Sequence, residues 1–450
     1  MMEDTLIIIL AAGMGTRMNS DKIKVLHKIA GKPMINYVLD EAYKISNKVV
    51  CVTGHQSDRV KKELSSYKKL NFIYQKDQLG TGHAVMQAKK YIKKHNGPVL
   101  ILYGDTPLLR NETLESLINK HIKCSAGMTV LTSYLENPTG YGRIIKDEEG
   151  QLIDIVEEQD ADLQIKRINE INTGLYCFSP DLLADALENL DNDNNQGEYY
   201  LPEVMDHIKN SNKVITESAN SEEILGVNTR EDLADAEEIV RQRINKKHMA
   251  NGVTLLDPKS TYIEGNVKID RDVVIYPNTH IKSGTVIKKD VVIESNCFIE
   301  KSSISNHVKI KHGSVILESS IDQNTNIGPY AYLRPETKIG SDCRIGNFVE
   351  LKKSSVDDES KVPHLSYVGN ATIGKKCNIG AGTIFANYDG VNKHETVLGD
   401  SVFIGSNTTL VAPVKLEDRA KTGAGSVVTR DVESDSIVLG VPARLYKKDS

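Results

Sequence analysis

The chain has 450 residues, a formal net charge of −5 and a sequence pI near 6.2. Single hydrophobic cores stop growing at roughly 250 to 300 residues, so we expect two domains. Acids and bases are spread along the chain and form no basic stripe, which argues against nucleic acid as a partner.

The N-terminus and the cysteines argue against a membrane or secreted location. The apolar run from Leu6 to Leu10 is far shorter than the roughly 20 residues that span a bilayer. Six cysteines show no CxxC pairing and no histidine cluster, so neither disulfides nor a zinc site is expected. We therefore expect a cytoplasmic protein that does not associate with membranes.

Short apolar runs alternate with helical patterns over residues 1–228. The runs that read as strands are Leu6 to Leu10, Lys48 to Val52, Asn71 to Tyr74 and Val99 to Leu102. This alternation is typical of an α/β domain with a largely parallel sheet.

A single helix is predicted over residues 229–250. Thr229 can cap it, with Asp232 three residues on, and apolar residues then recur at helical spacing: Leu233, Ala236, Val240 and Ile244. This helix would link the first domain to a second one over residues 251–450.

A strict period of six residues begins after the helix. Aliphatic residues recur at Ile263, Ile269, Ile275, Ile281, Ile287, Ile293 and Ile299, and again from Ile321 to Leu351. A hexapeptide repeat predicts a parallel β-helix, in which each repeat forms one flat face and stacked coils bury the aliphatic ladder. Cys297, Cys343 and Cys377 are expected to be small core fillers. The stretch between Leu351 and Ile373 and the stretch after Ile384 are interpreted as breaks that form surface loops.

A glycine-rich turn after the first strand is the first candidate site. Leu10 leads into Ala11-Ala12-Gly13-Met14-Gly15-Thr16-Arg17, where small residues let backbone amides approach phosphate oxygens. Arg17 and Lys24 would offset the charge of a triphosphate. Asp105 closes a strand at the carboxyl edge of the sheet, where a carboxylate can hold Mg²⁺. Each cation can instead be a solvated surface charge, and Asp105 can instead begin a turn.

The β-helix carries the second candidate site. His364 titrates near neutral pH and can remove the proton from an amine during acyl transfer. Arg334 and Lys352 can hold a phosphate. A histidine in a polar loop is more often solvated than catalytic, so these residues alone leave the role of His364 open.

These motifs resemble those of the sugar nucleotidyltransferases. LAAGMGTRM, QLGTGHA, YGD, GYGRI, INTG and GEYY are similar to the bifunctional members that combine N-acetylglucosamine-1-phosphate uridylyltransferase with glucosamine-1-phosphate acetyltransferase. The resemblance covers nearly the whole chain. It implies a Rossmann-like nucleotidyltransferase domain, a linker helix and a left-handed β-helix, and the handedness comes from the resemblance alone.

The resemblance implies synthesis of UDP-N-acetylglucosamine from UTP, acetyl-CoA and glucosamine 1-phosphate, with N-acetylglucosamine 1-phosphate as the intermediate and Mg²⁺ as cofactor. For uridylyl transfer it implies a nucleotide pocket formed by Leu10, Ala11, Ala12 and Gly13, and a uracil site formed by Gln75, Gly80 and Thr81. Arg17 and Lys24 would contact the phosphates, and Asp105 and Asn228 would share the metal. Gly142, Glu157 and Asn172 would bind the sugar.

For acetyl transfer the resemblance implies that His364 is the base and that Glu350 orients it. Glucosamine 1-phosphate would be bound by Arg334, Lys352, Tyr367 and Asn378. Acetyl-CoA would be bound by Ala381, Asn387, Tyr388, Ser406 and Ala424. The resemblance also implies a homotrimer with active sites between neighbouring β-helices.

Two positions depart from the family pattern, and two other functions stay open. Pro363 stands where a small residue is expected, and Gly440 stands where many members carry an arginine near the coenzyme. The first alternative is a monofunctional sugar-1-phosphate nucleotidyltransferase with a structural β-helix. The second is a non-enzymatic scaffold that has kept both folds.

Overall fold

The computed structural model describes residues 4–194 and 197–448, and its first half is an α/β domain. The strands are β1 (Leu6–Ala11), β2 (Lys28–Ile29), β3 (Lys32–Pro33), β4 (Val49–Thr53), β5 (Asn71–Tyr74), β6 (Val99–Tyr103), β7 (Met128–Tyr134), β8 (Gly142–Lys146), β9 (Leu152–Val156), β10 (Glu170–Phe178) and β11 (Val214–Ser218). The helices are α1 (Met34–Ile45), α2 (Ser57–Glu63), α3 (Thr81–Gln87), α4 (Lys89–Ile92), α5 (Asn111–Cys124), α6 (Pro180–Asn189) and α7 (Val204–Ile208). The four predicted strands are confirmed as β1, β4, β5 and β6.

The main sheet has the order β5-β4-β1-β6-β10-β7-β11. Strands β1, β4, β5 and β6 run parallel, whereas β10 is antiparallel to both β6 and β7. Strand β1 is buried along its whole length, as expected for a central strand covered on both faces. The chain crosses from β1 to β4 on one side and to β6 on the other, so the carboxyl ends of β1 and β6 flank a crevice where ligands bind in open α/β sheets.

Helix α8 (Arg230–Ala250) follows the first domain, and its start is capped as predicted. The Asp232 backbone N–H donates to Thr229 Oγ1 at 3.1 Å, and the Thr229 N–H donates to Asp232 Oδ2 at 2.8 Å. This reciprocal pair satisfies two donors at the helix start. The chain divides into two compact units within this helix, after Val240. The domain limits at residues 228 and 250 stay predictions. None of the helices in the described residues is long and apolar enough to cross a membrane.

The second half is a left-handed parallel β-helix with three sheets. The first sheet contains Thr254–Leu255, Val274–Ile275, Val292–Ile293, Lys309–Ile310, Asn326–Ile327, Arg344–Asn347, Lys361–His364, Asn378–Ile379, Phe403–Ile404, Lys421–Thr422, Ser436–Gly440 and Ala443–Lys448. The second contains Tyr262–Ile263, His280–Ile281, Phe298–Glu300, Val315–Leu317, Tyr332–Leu333, Glu350–Lys352, Tyr367–Gly369, Ile384–Ala386, Thr409–Val411 and Val427–Val428. The third contains Lys268–Ile269, Val286–Ile287, Ser303–Ile304, Ser320–Ile321, Lys338–Ile339, Ser355–Val356, Ala371–Ile373, Thr396–Leu398 and Val414–Leu416.

The corners of the coils explain the composition of the repeat. The residue three positions before most ladder aliphatics has a positive φ, as at Asp272, Asn278, Asp290 and Asn296. Asn and Asp tolerate this left-handed conformation better than other side chains that carry a Cβ. The ladder residues themselves form one continuous core. Cys297, Cys343 and Cys377 belong to it as predicted, and burial raises the pKa of each thiol to about 11.

The expected breaks in the period are partly wrong. Between Leu351 and Ile373 the ladder continues through Val356, Val362 and Val368, all buried, and two corners are each shortened by a residue. His364 therefore lies at the end of a regular strand, not in an inserted loop. The loop that does interrupt the period follows Phe385, which occupies the ladder position, whereas Ile384 is 41% exposed.

Candidate active sites

A cavity of about 610 Å³ opens at the carboxyl ends of β1 and β6 in the first domain. It brings together seven of the residues predicted for uridylyl transfer: Arg17, Thr81, Asp105, Gly142, Glu157, Asn172 and Asn228. These residues come from distant parts of the sequence, and the sheet order places them around one space. The sequence-predicted pocket is thus a real concavity.

Lys24 and Arg17 converge on one amide oxygen at this cavity. Lys24 Nζ forms an ion pair with Asp105 Oδ2 and donates to Asn228 Oδ1 at 3.1 Å. Arg17 Nη2 donates to the same Asn228 oxygen at 2.9 Å. The Lys24 and Asp105 side chains are only 13% and 18% exposed, so their charges act in a partly desolvated setting.

The same geometry fits a hard divalent cation. A carboxylate oxygen of Asp105 and the amide oxygen of Asn228 both face the Lys24 ammonium, so two oxygen ligands already point at one positive charge. Mg²⁺ prefers such ligands and normally completes its shell with water and substrate phosphates. No group of three or more His, Cys, Asp or Glu side chains in residues 4–194 and 197–448 could hold a metal without such help.

Gly142, Glu157 and Asn172, the residues predicted to bind the sugar, line one part of the cavity. A Cβ at Gly142 would lie 3.1 Å from Glu157 Oε1, so the missing side chain leaves room for the carboxylate. Burial, and then the charge of Asp160, raise the pKa of Glu157. Asn172 is buried and held in place, because its Oδ1 accepts from the Gly174 N–H at 3.0 Å and its Nδ2 donates to Tyr176 Oη at 2.8 Å.

A partly buried ion pair next to Glu157 was not recognised from the sequence. Arg143 is 1% exposed, and its Nη2 donates to Glu158 Oε2 at 2.8 Å. The Gly140 N–H donates to the same carboxylate oxygen at 3.2 Å. Glu158 therefore ties the turn before β8 to the segment that carries Glu157. The motif GYGRI contained the arginine, but nothing in the sequence indicated its partner.

The predicted uracil residues lie beside the glycine-rich turn. Gln75 is buried, and its Nε2 donates to the Gly80 carbonyl at 3.3 Å. Leu10 and Ala11 end β1, Ala12 is buried after it, and Gly13 is exposed with open space where a side chain would lie. Gln78, which sequence reasoning missed, donates from Nε2 to the Ala12 carbonyl at 2.6 Å. This contact ties the QLGTGHA segment to the turn.

In the β-helix, Arg334, Lys352 and Tyr367 lie on consecutive coils of the second sheet. The pKa of Lys352 is lowered, first by Lys393 and then by Arg334, because these cations crowd one another. Three cations gathered in this way form a site for an anion such as a phosphate. Lys393, from the inserted loop, was missed by sequence reasoning.

His364 contacts a different residue from the one expected. Its Nδ1 lies 2.7 Å from Asn347 Oδ1, whereas the Glu350 carboxylate accepts from Arg334 Nη1 at 2.7 Å. The expectation that Glu350 orients His364 is therefore wrong. Glu350 instead holds Arg334, and this pairing raises the pKa of the guanidinium.

Three of the predicted coenzyme residues stack above His364. On each coil, the residue two positions after the inward-facing residue of the first sheet lies at a corner. On five successive coils these corner residues are Asn347, His364, Ala381, Ser406 and Ala424, and we call them the first-corner column. Backbone hydrogen bonds continue along it, from the Asn407 N–H to the Ala381 carbonyl at 2.7 Å and from the Gly425 N–H to the Ser406 carbonyl at 2.8 Å. Small side chains leave the surface of this column open above the imidazole.

The remaining predicted residues lie around this column. Asn387 is buried and donates from Nδ2 to Asn370 Oδ1 at 2.8 Å, which fixes the start of the inserted loop. Tyr388 is 59% exposed in the same loop.

Asn378 lies on the first sheet, a different face from Arg334 and Lys352, so one chain does not bring these three together. Gly440 has a φ of 101°, a conformation in which an arginine would be strained.

Comparisons with known proteins agree with both halves. The family model described as "Nucleotidyl transferase" matches residues 6–240, and the one described as "GMPPB C-terminal domain" matches residues 318–422. "Bifunctional protein GlmU" of Acetivibrio thermocellus is 45% identical over 451 residues, covering 100% of this chain and 97% of the relative. The protein of the same name from Listeria monocytogenes serotype 4a is 47% identical, covering 96% and 94%. That of Clostridioides difficile is 45% identical, covering 98% and 96%.

Proposed function

Because the chain belongs to the nucleotidyl transferase family, among the bifunctional GlmU proteins, we propose that each of its two candidate sites catalyses one of two transfer reactions. The enzyme is a uridylyltransferase and an acetyltransferase that makes UDP-N-acetylglucosamine. The first domain transfers the uridylyl group, and the β-helix transfers the acetyl group. The observation that carries this assignment is that each half places a base or a cation cluster beside an open binding surface.

In the first domain, N-acetylglucosamine 1-phosphate attacks the α-phosphorus of UTP and pyrophosphate leaves. Gly142, Glu157 and Asn172 bind the sugar, and Glu157 accepts hydrogen bonds from its hydroxyl groups. Arg17 and Lys24 stabilise the charge on the phosphates, which is most of what catalysis requires when no covalent intermediate forms. The turn from Leu10 to Gly13, with Gln75, Gly80 and Thr81, binds the uridine.

A divalent metal belongs to this reaction, and we propose Mg²⁺ held by Asp105 and Asn228. When bound, the ion neutralises charge on the phosphate oxygens. Lys24 would then leave the oxygens that it contacts here and turn toward the phosphates.

In the β-helix, His364 takes a proton from the amine of glucosamine 1-phosphate as that amine attacks the thioester of acetyl-CoA. Arg334, Lys352 and Tyr367 bind the sugar phosphate, and Lys393 adds a third cation. Ala381, Ser406 and Ala424 line the coenzyme, with Asn387 and Tyr388 beside the thioester. Adjacent coils are about 4.8 Å apart, so the column from His364 to Ala424 is long enough for an extended pantetheine arm.

We further propose a homotrimer in which neighbouring copies complete each acetyl-transfer site. Asn378 lies on a different face from Arg334 and Lys352, so a second copy would supply it. Tyr330, Phe348 and Leu365 are also 49%, 58% and 59% exposed on consecutive coils, an apolar stripe suited to burial against another copy. The six cysteines are free thiols, which supports a cytoplasmic location.

The test is an incubation of the purified protein with UTP, acetyl-CoA, Mg²⁺ and glucosamine 1-phosphate, followed by mass spectrometry. We expect UDP-N-acetylglucosamine, pyrophosphate and free coenzyme A. Omission of acetyl-CoA should abolish the nucleotide sugar unless N-acetylglucosamine 1-phosphate is supplied. Pyrophosphate release without consumption of acetyl-CoA would support the monofunctional alternative, and the absence of both reactions would support the scaffold.

A further inference from the structure

The hydrogen bond between His364 and Asn347 fixes the state of the imidazole ring. An amide oxygen can only accept, so the ring nitrogen that faces Asn347 Oδ1 at 2.7 Å must carry the hydrogen. In the neutral ring, Nε2 then holds the lone pair. The neutral ring is thereby prepared to accept a proton at Nε2.

The backbone around this pair is unusual for the β-helix. Most strands of the first sheet have two residues, but Arg344–Asn347 and Lys361–His364 have four, and Asn347 pairs with His364 in register. The two strands approach closely, since a Cβ at Gly346 would lie 1.7 Å from the Pro363 carbonyl oxygen. The extended pairing holds the two side chains next to each other on adjacent coils.

Pro363 makes the backbone pairing of the His364 strand weaker toward the next coil than toward the previous one. Proline has no N–H, so it cannot donate to the next coil. The pairing of Lys361–His364 with Asn378–Ile379 includes Lys361 opposite Asn378 and does not extend to the histidine. The Gly382 N–H donates to the His364 carbonyl at 3.4 Å, a longer contact than the 3.0 Å from the Leu365 N–H to the Asn347 carbonyl. The backbone at His364 is therefore held more closely on the Asn347 side than on the side of Ala381, where the coenzyme is proposed to bind. This gives a structural role to the departure from the family pattern at position 363.

We propose that Asn347 is a positioning residue for acetyl transfer, which holds His364 in the tautomer whose Nε2 accepts the proton of the substrate amine. The inference rests on the proposed function of the β-helix. In the observed arrangement the Glu350 carboxylate is paired with Arg334, and the side chain that contacts the His364 ring is Asn347. Ser366 donates to the backbone carbonyl of His364 at 2.8 Å and does not set the ring.

The chemical step balances with these groups. The amine nitrogen forms a bond to the thioester carbonyl carbon, and the carbon–sulfur bond breaks with its electron pair going to sulfur. The proton lost by nitrogen goes to Nε2 of His364 and then to the sulfur of the departing coenzyme. During the step the ring is an imidazolium, and its Nδ1–H still donates to Asn347 Oδ1.

The experiment uses the full-length enzyme with Asn347→Leu, Asn347→Ala and Asn347→Asp, and with Asn326→Ala, one coil earlier, as the matched control. A general base contributes roughly a hundredfold to ten-thousandfold, so losing its orientation should lower kcat of acetyl transfer by about tenfold to a hundredfold in the Leu and Ala variants. KM values should change less than about twofold, because the substrate contacts remain. Asn347→Asp keeps an acceptor and should retain most of the activity.

A second readout separates orientation from folding. In enzyme labelled with ¹⁵N-histidine, with the His364 signals assigned by difference from His364→Ala, the neutral ring should carry its hydrogen on Nδ1 in the wild type. In Asn347→Leu it should move to Nε2. A wild-type ring protonated at Nε2, or unchanged kcat in Asn347→Leu, would overturn the inference.

The His364→Ala variant distinguishes the two levels of the proposal. If it retains acetyl transfer, the proposed function of this site is wrong. If it loses acetyl transfer while Asn347→Leu remains fast, the site is right and the positioning role fails. Uridylyl transfer by each variant shows that the first domain is folded.

Discussion

The two halves of the chain bring their functional side chains together in different ways. In the first domain, Lys24 contacts Asp105 and Asn228, which are 81 and 204 residues away in sequence. In the β-helix, Asn347 contacts His364 at a separation of 17 residues, and Arg334 contacts Glu350 at 16. The site in the first domain depends on the order of the whole sheet, whereas the site in the β-helix depends on the register of neighbouring coils.

This difference predicts how far the structural effect of a substitution extends from the substituted residue. In a solenoid each coil contacts its neighbours, so a change remains local and the rest of the stack is unaffected. In the α/β domain, loops from several strands share one cavity, so a change at one loop alters the position of residues from the others. Substitutions at the two sites would test that contrast.

The largest effect is expected from His364→Ala. Removing the general base should lower kcat of acetyl transfer by roughly a hundredfold to ten-thousandfold. Uridylyl transfer should be unchanged, because the substitution affects one corner of the β-helix. The measurements are free thiol released from acetyl-CoA and pyrophosphate released from UTP. Loss of both activities would contradict the separation of the two sites.

Asp105→Asn is the matching change in the first domain. It removes the carboxylate that faces Lys24, and metal ligation is worth several kcal/mol of charge stabilisation, so pyrophosphate release should fall about a hundredfold to a thousandfold. Acetyl transfer should persist. Calorimetric titration with Mn²⁺ gives a readout besides activity, and equal Mn²⁺ affinity in the variant and the wild type would show that Asp105 is not a ligand.

Gly346→Ala tests whether the close backbone contact between adjacent coils determines the geometry of the site in the β-helix. The new methyl group would meet the Pro363 carbonyl oxygen, and overpacking of this kind costs about 1–3 kcal/mol. We expect a lower unfolding midpoint and slower acetyl transfer. Gly265→Ala, where the nearest atom to a new Cβ would be Ile244 Cδ1 at 3.7 Å, is the control and should affect stability less. Normal acetyl transfer by Gly346→Ala would mean that the His364 corner tolerates displacement.

The smallest effect is expected from Asp160→Asn. Burial is the first cause and Asp160 the second cause of the raised pKa of Glu157. When the pH falls through that raised pKa, Glu157 takes up a proton and loses an acceptor for the sugar hydroxyl groups. The KM for N-acetylglucosamine 1-phosphate should then rise. Without the charge of Asp160, this rise should begin at a lower pH, as measured by KM across a pH series with Asp154→Asn as the control. An unshifted profile would assign the titration to another group.

The fold was largely predictable from the sequence because both halves have a regular period. Alternating apolar runs gave the four parallel strands, and the six-residue period gave the β-helix. The apparent break before Ile373 was misread, because two ladder steps of five residues disrupt a count of six although Val356, Val362 and Val368 keep the core filled. A sequence period does not show that a corner can lose a residue without loss of packing.

The sites were predictable as residue sets but not as contacts. The motifs included Arg17 and Asp105, which line the cavity of the first domain, Lys24, which contacts Asp105, and His364, which is exposed on the β-helix. They did not reveal that Asn347, one coil away, is the partner of His364. The partner of Arg143 and the contribution of Lys393 also depend on which segments lie side by side, and that follows from register and not from residue type. The roles assigned to these residues stay predictions.

The shortened corners have one further consequence. Every ladder step of five residues, and the long inserted loop, lies between the second sheet and the third, as from Leu351 to Val356. Steps between the first and second sheets keep six residues from Ile275 onward. Length variation is thus confined to an edge away from the first-corner column. The distance from the imidazole to a bound acyl carrier then follows from the spacing of whole coils, about 4.8 Å each. The shortened corner from Ile299 to Ile304, which holds none of the proposed binding residues, is therefore the place to insert a label or a domain without altering the reach of the carrier.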